Sequence, residues 1–287
     1  MPYIDHIAAC NTYDIRKFRP FVVGGQAVGW VRHDVAEWLE DFDDVFVVGD
    51  DCVWLHQRLD TPQARTQAVE AACVALADSR RTPRLRGERY AVARAWGDTP
   101  LMEIDRAVVS LFGVRAYGVH VNGIIRDGGE QRLWIAKRAV DKAVAPGKLD
   151  NMIAGGQPAG LGLKENLVKE AAEEADIGRD LALTARPVGA INYCHEDAWG
   201  LKPDTMFCYD LDVPAGFQPR NVDGEIDSFS PMAVDEVARR VRDTDDFKFN
   251  VNLVLIDFLI RHGRLCPDDE PDYLALVRGL RQECRAG

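Results

Sequence analysis

Apolar and polar positions alternate along this chain with two different periods, and the change from one to the other marks most of its elements. Residues 21–31, FVVGGQAVGWV, carry apolar positions on both sides of Gly24-Gly25 and read as a hairpin about that pair. Residues 45–48 form a short apolar strand. Over residues 61–78 the period lengthens: Thr61 offers an N-cap, Pro62 sits in the first turn, and Val69, Cys73 and Leu76 fall on one stripe, which predicts a helix. Residues 90–95 read as a strand and residues 105–112 as a helix. In GVHVNGII, residues 118–125, Val119 and Val121 face one way and His120 and Asn122 the other, as in a strand. Residues 132–138 read as a second strand, and Pro146-Gly147 as a turn. Gly155-Gly156 reads as a further turn. It leads into a helix whose Leu163, Leu167, Ala171 and Ala175 make a narrow stripe of mostly small side chains, suited to lying close against a sheet. Residues 186–193 and 205–213 read as strands joined by a polar loop, CHEDAWGLKPD, and residues 247–262 and 271–284 as amphipathic helices.

With 287 residues the chain exceeds one average domain. The pattern divides softly near Gly113 into a small α+β unit, residues 1–113, a second unit, residues 114–265, and a helical tail, residues 266–287. There is no internal repeat. The hydrophobic fraction of 47% and the charged fraction of 28% are those of an ordinary globular protein. A net charge of -11 argues against general nucleic-acid binding, which needs Lys and Arg to neutralise phosphates. It does not exclude an anionic small substrate, because a bound metal inverts the local charge. Arg80, Arg81, Arg84, Arg86, Arg89 and Arg94 cluster in one segment with Tyr90 as its lone aromatic, which reads as a solvated linker or a salt-bridging surface. The seven cysteines are scattered and odd in number, without a C-x-x-C pair. They predict neither a disulfide framework nor a zinc site, but a reducing, cytoplasmic setting. The first residues have no signal-peptide pattern and no apolar run approaches a membrane span, so no membrane partner is expected. Assembly as a homodimer is left open.

The chemistry concentrates on residues 155–177. Glu170, Glu173 and Glu174 lie three and four positions apart, so a helix projects them to one side. Hard divalent cations such as Mg²⁺ take oxygen ligands and keep several waters, which suits a few clustered carboxylates. A solvated acidic face is the commoner meaning of such a run, but the Gly-Gly pair ahead of it favours the metal reading. Arg115, Lys137, Arg138 and Lys148 are candidates for holding phosphates. His120 and Asn122 on their strand, and Trp199 in the polar loop, are candidates for the rest of a substrate. Glu225, in NVDGEIDSF, is placed to enter the site from a neighbouring strand as a general base. His195, Glu196 and Asp197 mimic a ligand cluster, but adjacent residues rarely converge on one metal. No G-x-S-x-G, H-E-x-x-H or phosphate-binding Walker motif occurs.

This stretch resembles the Nudix box, whose core reads R-E-U-x-E-E-x-G-U with U a bulky aliphatic residue. The core falls on Lys169, Glu170, Glu173 and Glu174 and closes on Ile177; Lys169 stands for the arginine, Asp176 for the late glycine, and Leu161 for the first glutamate of the box. Asp tolerates left-handed backbone, so a helix stop at Asp176 is retained. The segments RAYGVHVNGI, LWIAKRAVDKAVAPGKLDNMIAGG and TMFCYDLDVP, with the VGWV region, resemble a two-domain Nudix subfamily similar to the Nudix portion fused to thiamine pyrophosphokinase in fungi. The resemblance implies an α/β fold: a Nudix α/β/α sandwich with a mixed sheet, preceded by the small α+β domain. It also implies Mg²⁺- or Mn²⁺-dependent hydrolysis of a small-molecule diphosphate, here oxidised thiamine diphosphate cleaved to the monophosphate and phosphate. Glu170, Glu173 and Glu174 would be the metal ligands. The alternatives are a hydrolase of ADP-ribose- or NADH-type substrates and a non-catalytic Nudix ligand sensor. Isopentenyl diphosphate isomerase shares the fold, but its catalytic cysteine motifs do not match the settings of Cys194 and Cys208.

Overall fold

A computed structural model describes residues 2–127 and 129–284. The chain opens with α1 (Tyr3–Ala9) and then builds a small sheet from β1 (Phe18–Val23), β2 (Gln26–Arg32), β3 (Phe46–Val48) and β4 (Val53–Leu55), with α2 (His33–Leu39) between β2 and β3. The strand order is β2-β1-β4-β3, with β1 and β4 parallel. The turn at Gly24-Gly25 falls where the pattern places it, and both glycines adopt positive φ, 56° and 79°. Helix α3 (Pro62–Asp78) starts at the expected cap: Thr61 Oγ1 accepts the Ala64 N–H at 3.2 Å. Its Val69, Cys73 and Leu76 join Phe21, Phe46 and Phe112 in one apolar cluster. β5 (Arg89–Val92) and β6 (Met102–Asp105) form a hairpin beside it.

The expected helix over 105–112 is only a 3₁₀ turn, Arg106–Val108. Asp105 caps that turn through the Ala107 N–H, but the helix does not continue because the Ser110 and Phe112 carbonyls accept the Leu201 and Trp30 N–H groups of other strands instead. Within the arginine cluster, Arg81 pairs with Asp41 and Arg89 with Glu70.

The larger unit is a mixed sheet with helices on both faces. Its strands are β7 (Tyr117–Asp127), β8 (Glu130–Arg138), β9 (Leu149–Asp150), β10 (Ile153–Gly156), β11 (Arg186–Glu196), β12 (Leu201–Asp212) and β13 (Ile226–Ala233). The order is β11-β12-β7-β8-β13, with β10 on β7 and β9 on β8; β12 runs parallel to β7 and the other pairs are antiparallel. On one face α4 (Leu163–Ala175) and α5 (Arg179–Ala182) cover the sheet, and Leu167, Ala171 and Ala175 pack against Val119 and Val121 as their stripe predicts. On the other, α6 (Val234–Asp243), α7 (Val251–Arg261) and α8 (Tyr273–Gly279) cover Ile124, Leu133 and Ile135. This is the expected mixed α/β sandwich, with extra N-terminal elements.

Three local expectations change. The polar loop after residue 193 is mostly hairpin: β11 continues to Glu196, paired with Leu201 of β12. Residues 247–250 do not start a helix, because Leu149 exchanges backbone bonds with Asp246 and Lys248 and holds that stretch against β9, and the chain then turns into the helix at Val251. The last helix ends at Gly279, packed so closely on Ile7 that a side chain there would overlap it. Helix α1 also belongs to this larger core: Tyr3, Ile7 and Cys10 pack with α7 and α8, and the Tyr3 hydroxyl donates to the Ala238 carbonyl at 2.9 Å.

Candidate active site

Strand β10 and helix α4 form one unit. Gly155 and Gly156 are not a turn but the end of β10, paired with Val119 and Gly118 of β7. What the two glycines supply is close approach. A Cβ on Gly155 would lie 2.1 Å from the Glu170 carboxyl carbon, and one on Gly156 would lie 1.8 Å from the Tyr90 hydroxyl. Two side chains of α4 clamp the strand: Asn166 Nδ2 donates to the Gly156 carbonyl at 2.8 Å, and Glu174 accepts the Ala154 N–H at 2.7 Å. The helix stops at Asp176, which takes the left-handed conformation (φ 54°, ψ 38°) that lets it stand for the glycine of the box.

The three carboxylates differ in setting. Glu174 is buried, Glu170 is nearly so, and Glu173 is half exposed. Burial pushes the Glu174 carboxyl well above the usual carboxylate range, and Asp150, Glu170 and Asp223 add to that push. Burial also raises Glu170; Lys169 opposes the shift, while Glu173 and Glu88 reinforce it. Lys169 Nζ bridges Glu170 at 3.1 Å and Glu173 at 2.7 Å. Burial works against its charge, but those two hydrogen bonds outweigh it and raise its pKa. Among the described residues no group of three or more His, Cys, Asp or Glu side chains converges to hold a metal. The donor chemistry nevertheless fits one. Two hard oxygen donors already share a cation, in the form of the Lys169 ammonium, and among the described residues no Lys or Arg forms an ion pair with the buried Glu174.

The remaining candidates are dispersed. Arg138 is buried in an ion pair with Asp150 at 2.8 Å and donates to the Val144 and Ala145 carbonyls. Lys148 pairs with Asp245, Lys137 with Asp227 and Arg115 with Glu283. His120 and Asn122 face away from α4. His120 Nδ1 lies 2.9 Å from Asn151 Oδ1, while Asn151 Nδ2 donates to Asn122 Oδ1, and Asn122 Nδ2 in turn donates to Asp210 at 3.0 Å. Burial, helped by Lys248, pushes the His120 pKa down to about 4. This is a buried polar network, continued from Asp210 to Arg261 and His262. Trp199 sits in the turn between β11 and β12, its N–H on Asp197. His195 packs between Tyr193 and Phe249, and Glu196 accepts the Asp14 N–H, so that run gathers around no metal. Glu225 pairs with Lys142. Burial opposes its charge, but Lys142, with Arg106 and Arg138, holds its pKa below the ordinary value.

The N-terminal unit contributes neighbours that the sequence pattern did not single out. Tyr90 packs on Gly156, and Glu88, bonded to Arg106 at 2.6 Å, lies close enough to raise Glu170. Tyr90 also lines a cleft of about 290 Å³ with Trp96, Tyr117 and Gln157, directly ahead of α4. The one sequence signal for Tyr90 was its isolation as an aromatic among arginines.

Comparison with known proteins gives this geometry a family. The chain is 40% identical to Nudix hydrolase 24, chloroplastic, of Arabidopsis thaliana, over 97% of its own length and 77% of that protein's. It is 39% identical to Nudix hydrolase 20, chloroplastic, of the same plant, with the same coverage. Residues 2–116 match a family described as a domain of unknown function, DUF4743. Among solved structures, the Nudix domain of Shewanella oneidensis NrtR with ADP ribose overlies 53% of this chain and 90% of its own at 10% identity and a TM-score of 0.42, too distant to bear on chemistry.

The chain therefore belongs to the Nudix hydrolase family, enzymes that act on phosphorus anhydrides. The family brings with it the expectation of a divalent metal, Mg²⁺ or Mn²⁺. The cytoplasmic assignment drawn from cysteine usage does not stand, since both plant relatives are chloroplastic. A reducing compartment is all that unpaired thiols indicate, and the described cysteines are all free. Among the described residues no helix is long and apolar enough to cross a membrane.

Proposed function

We propose that this chain hydrolyses oxidised thiamine diphosphate to the monophosphate and phosphate with a divalent ion held at α4. The observation that carries the site is the clustering of Glu170, Glu173 and Glu174 on one helix whose Gly155 neighbour leaves room for the Glu170 carboxylate. Support for the thiamine ring is the resemblance of segments 115–124, 133–156 and 205–214 to the subfamily fused with thiamine pyrophosphokinase. A divalent ion supplies charge stabilisation as negative charge grows on the phosphoryl oxygens. Glu170 and Glu174 are its proposed first ligands, and Glu173 completes the set or orients the attacking water. Water adds to a phosphorus, the anhydride P–O bond breaks, and the proton of the water leaves to a base. Glu225 is the proposed base; it is ionised, and it must part from Lys142 to accept that proton. Unit 1–113 is proposed as a domain that helps select the substrate and unit 114–265 as the catalytic domain, with 266–287 as the tail; α1 crosses that division by packing into the second core.

The test is chromatographic quantification of the products from oxidised thiamine diphosphate, intact thiamine diphosphate, ADP-ribose and NADH, each with Mg²⁺ and after EDTA: monophosphate and phosphate from the thiamine forms, AMP and a second monophosphate from the other two. The expected result is the highest kcat/KM for the oxidised thiamine form, loss of turnover in EDTA and recovery with Mg²⁺. A preference for ADP-ribose or NADH overturns the substrate but keeps the family chemistry; full activity without metal overturns the mechanism.

A further inference from the structure

The cleft ahead of α4 is built by both units. Residues 90–100 supply one wall, and the start of β7 with the loop 157–161 supplies the other. Two features give it a chemistry. The first is an aromatic trio at its edge. Trp96 lies 4.7 Å from Tyr117 and 4.8 Å from Phe207, tilted against both, while Tyr117 and Phe207 are nearly parallel at 6.0 Å. Trp96 remains 48% exposed although it touches two rings, so about half of the side chain is open to another planar group.

The second feature is Gln157, which is only 7% exposed and lines the same cleft. Its Nε2 donates to the Leu161 carbonyl at 2.7 Å and the Pro158 carbonyl at 3.3 Å. Those two acceptors fix the amide orientation, because a flipped amide would set oxygen against oxygen. Its Oε1 is then an acceptor, buried and without a hydrogen-bond partner among the described residues. A buried acceptor left unpaired costs free energy that a ligand N–H recovers.

The cleft is also at the right place for the rest of a diphosphate ester. Tyr90 lines it and lies against Gly156, and the next residue, Gly155, lies against the Glu170 carboxylate. Phe207, one of the three rings at the cleft, also packs on the core beneath α4, so the cleft and the acidic helix share one face of the sheet.

We propose that this cleft seats a flat heteroaromatic ring carrying an exocyclic amino group, stacked on Trp96 and donating to Gln157 Oε1, so that the N-terminal unit selects the ring while α4 handles the diphosphate. The inference deepens the proposed function and rests on it for the position of the diphosphate. The ring chemistry is shared by 4-aminopyrimidines and 6-aminopurines, and the test separates them.

Calorimetric titration of the full chain with Mg²⁺ uses thiamine monophosphate, AMP, purine riboside 5′-monophosphate, which lacks the amine, and ribose 5-phosphate, which lacks the ring. At least one amino-ring ligand should bind at least tenfold more tightly than ribose 5-phosphate, and AMP, if it is that ligand, more tightly than purine riboside monophosphate. Trp96→Ala, an exposed position, should weaken the amino-ring ligand about tenfold and leave ribose 5-phosphate unchanged, with Trp96→Phe restoring most of the loss. The inference falls if neither amino-ring ligand exceeds ribose 5-phosphate, or if Trp96→Ala leaves the amino-ring affinity intact. Tight ring binding together with no hydrolysis of any thiamine diphosphate defeats the proposed function alone.

Discussion

At the scale of single residues, the acidic helix is less uniform than its spacing suggests. Glu174 is buried, accepts one backbone N–H and faces other carboxylates, so its charge is costly in the absence of a cation. Glu174→Gln keeps the shape and the acceptor for Ala154 while removing that charge. We expect kcat to fall on the order of a thousandfold, as loss of several kcal/mol of metal stabilisation requires. The melting temperature in EDTA should equal or exceed that of the parent. Wild-type kcat in both this variant and Glu170→Gln would remove them as ligands. His120 shows the opposite fate for a candidate. The alternation of its strand revealed which face it shares with Asn122, but not that Asn151 and Asp210 close a network around the pair, because those two come from distant parts of the chain. Its pKa of about 4 lies below the unfolded value near 6.5. Between those values the unfolded chain binds a proton that the folded chain does not, so stability falls as pH drops through that window. The size is on the order of 3 kcal/mol. Urea titrations at pH 7.5 and 4.5 should show the drop, and His120→Gln should show a smaller one.

Among the elements, α4 was readable because three signals agreed: a stripe of Leu and Ala, carboxylates three and four apart, and an Asp able to end the helix in left-handed backbone. The pair Gly155-Gly156 was misread because glycine serves two needs, turning and close approach, and only the packing of Glu170 and Tyr90 shows which one applies. Helix α6 carries Val234, Val237 and Val241 at helical spacing, a legible stripe hidden by its brevity and by the charged residues between them. Helix α1 had no legible partner, since its contacts lie at the other end of the chain. The close approach of β10 to α4 yields a prediction at this scale. In Gly155→Ala the new methyl displaces the end of a flexible glutamate rather than backbone, so the fold should survive. The Glu170 carboxylate should move, and kcat/KM should drop at least tenfold with little change in melting temperature. An unaltered kcat/KM in a folded variant would mean that the placement of Glu170 is immaterial to turnover.

Over the whole molecule, the two ends of the chain share one core. Ile7 is buried between α1 and α8, directly over Gly279, and His6 Nε2 lies 2.6 Å from the Val241 carbonyl, 235 residues away. Ile7→Ala should cost about 2–4 kcal/mol. Hydrogen exchange should then rise in α7 and α8 while β1 to β4 keep their protection; a first rise in β1 to β4 would show that α1 belongs energetically to the smaller unit. Joining the ends also has a consequence for biosynthesis. A ribosome adds about 5–20 residues per second, so residues 3–10 leave it roughly ten to fifty seconds before their partners exist. For that interval the nascent helix shows Tyr3, Ile7 and Cys10 to water. The smaller sheet can meanwhile fold from neighbours already translated, whereas the core of the larger sheet can close only once α7 and α8 have been made. Tyr3, Ile7 and Cys10 thus wait for burial until residues 251–280 have been made.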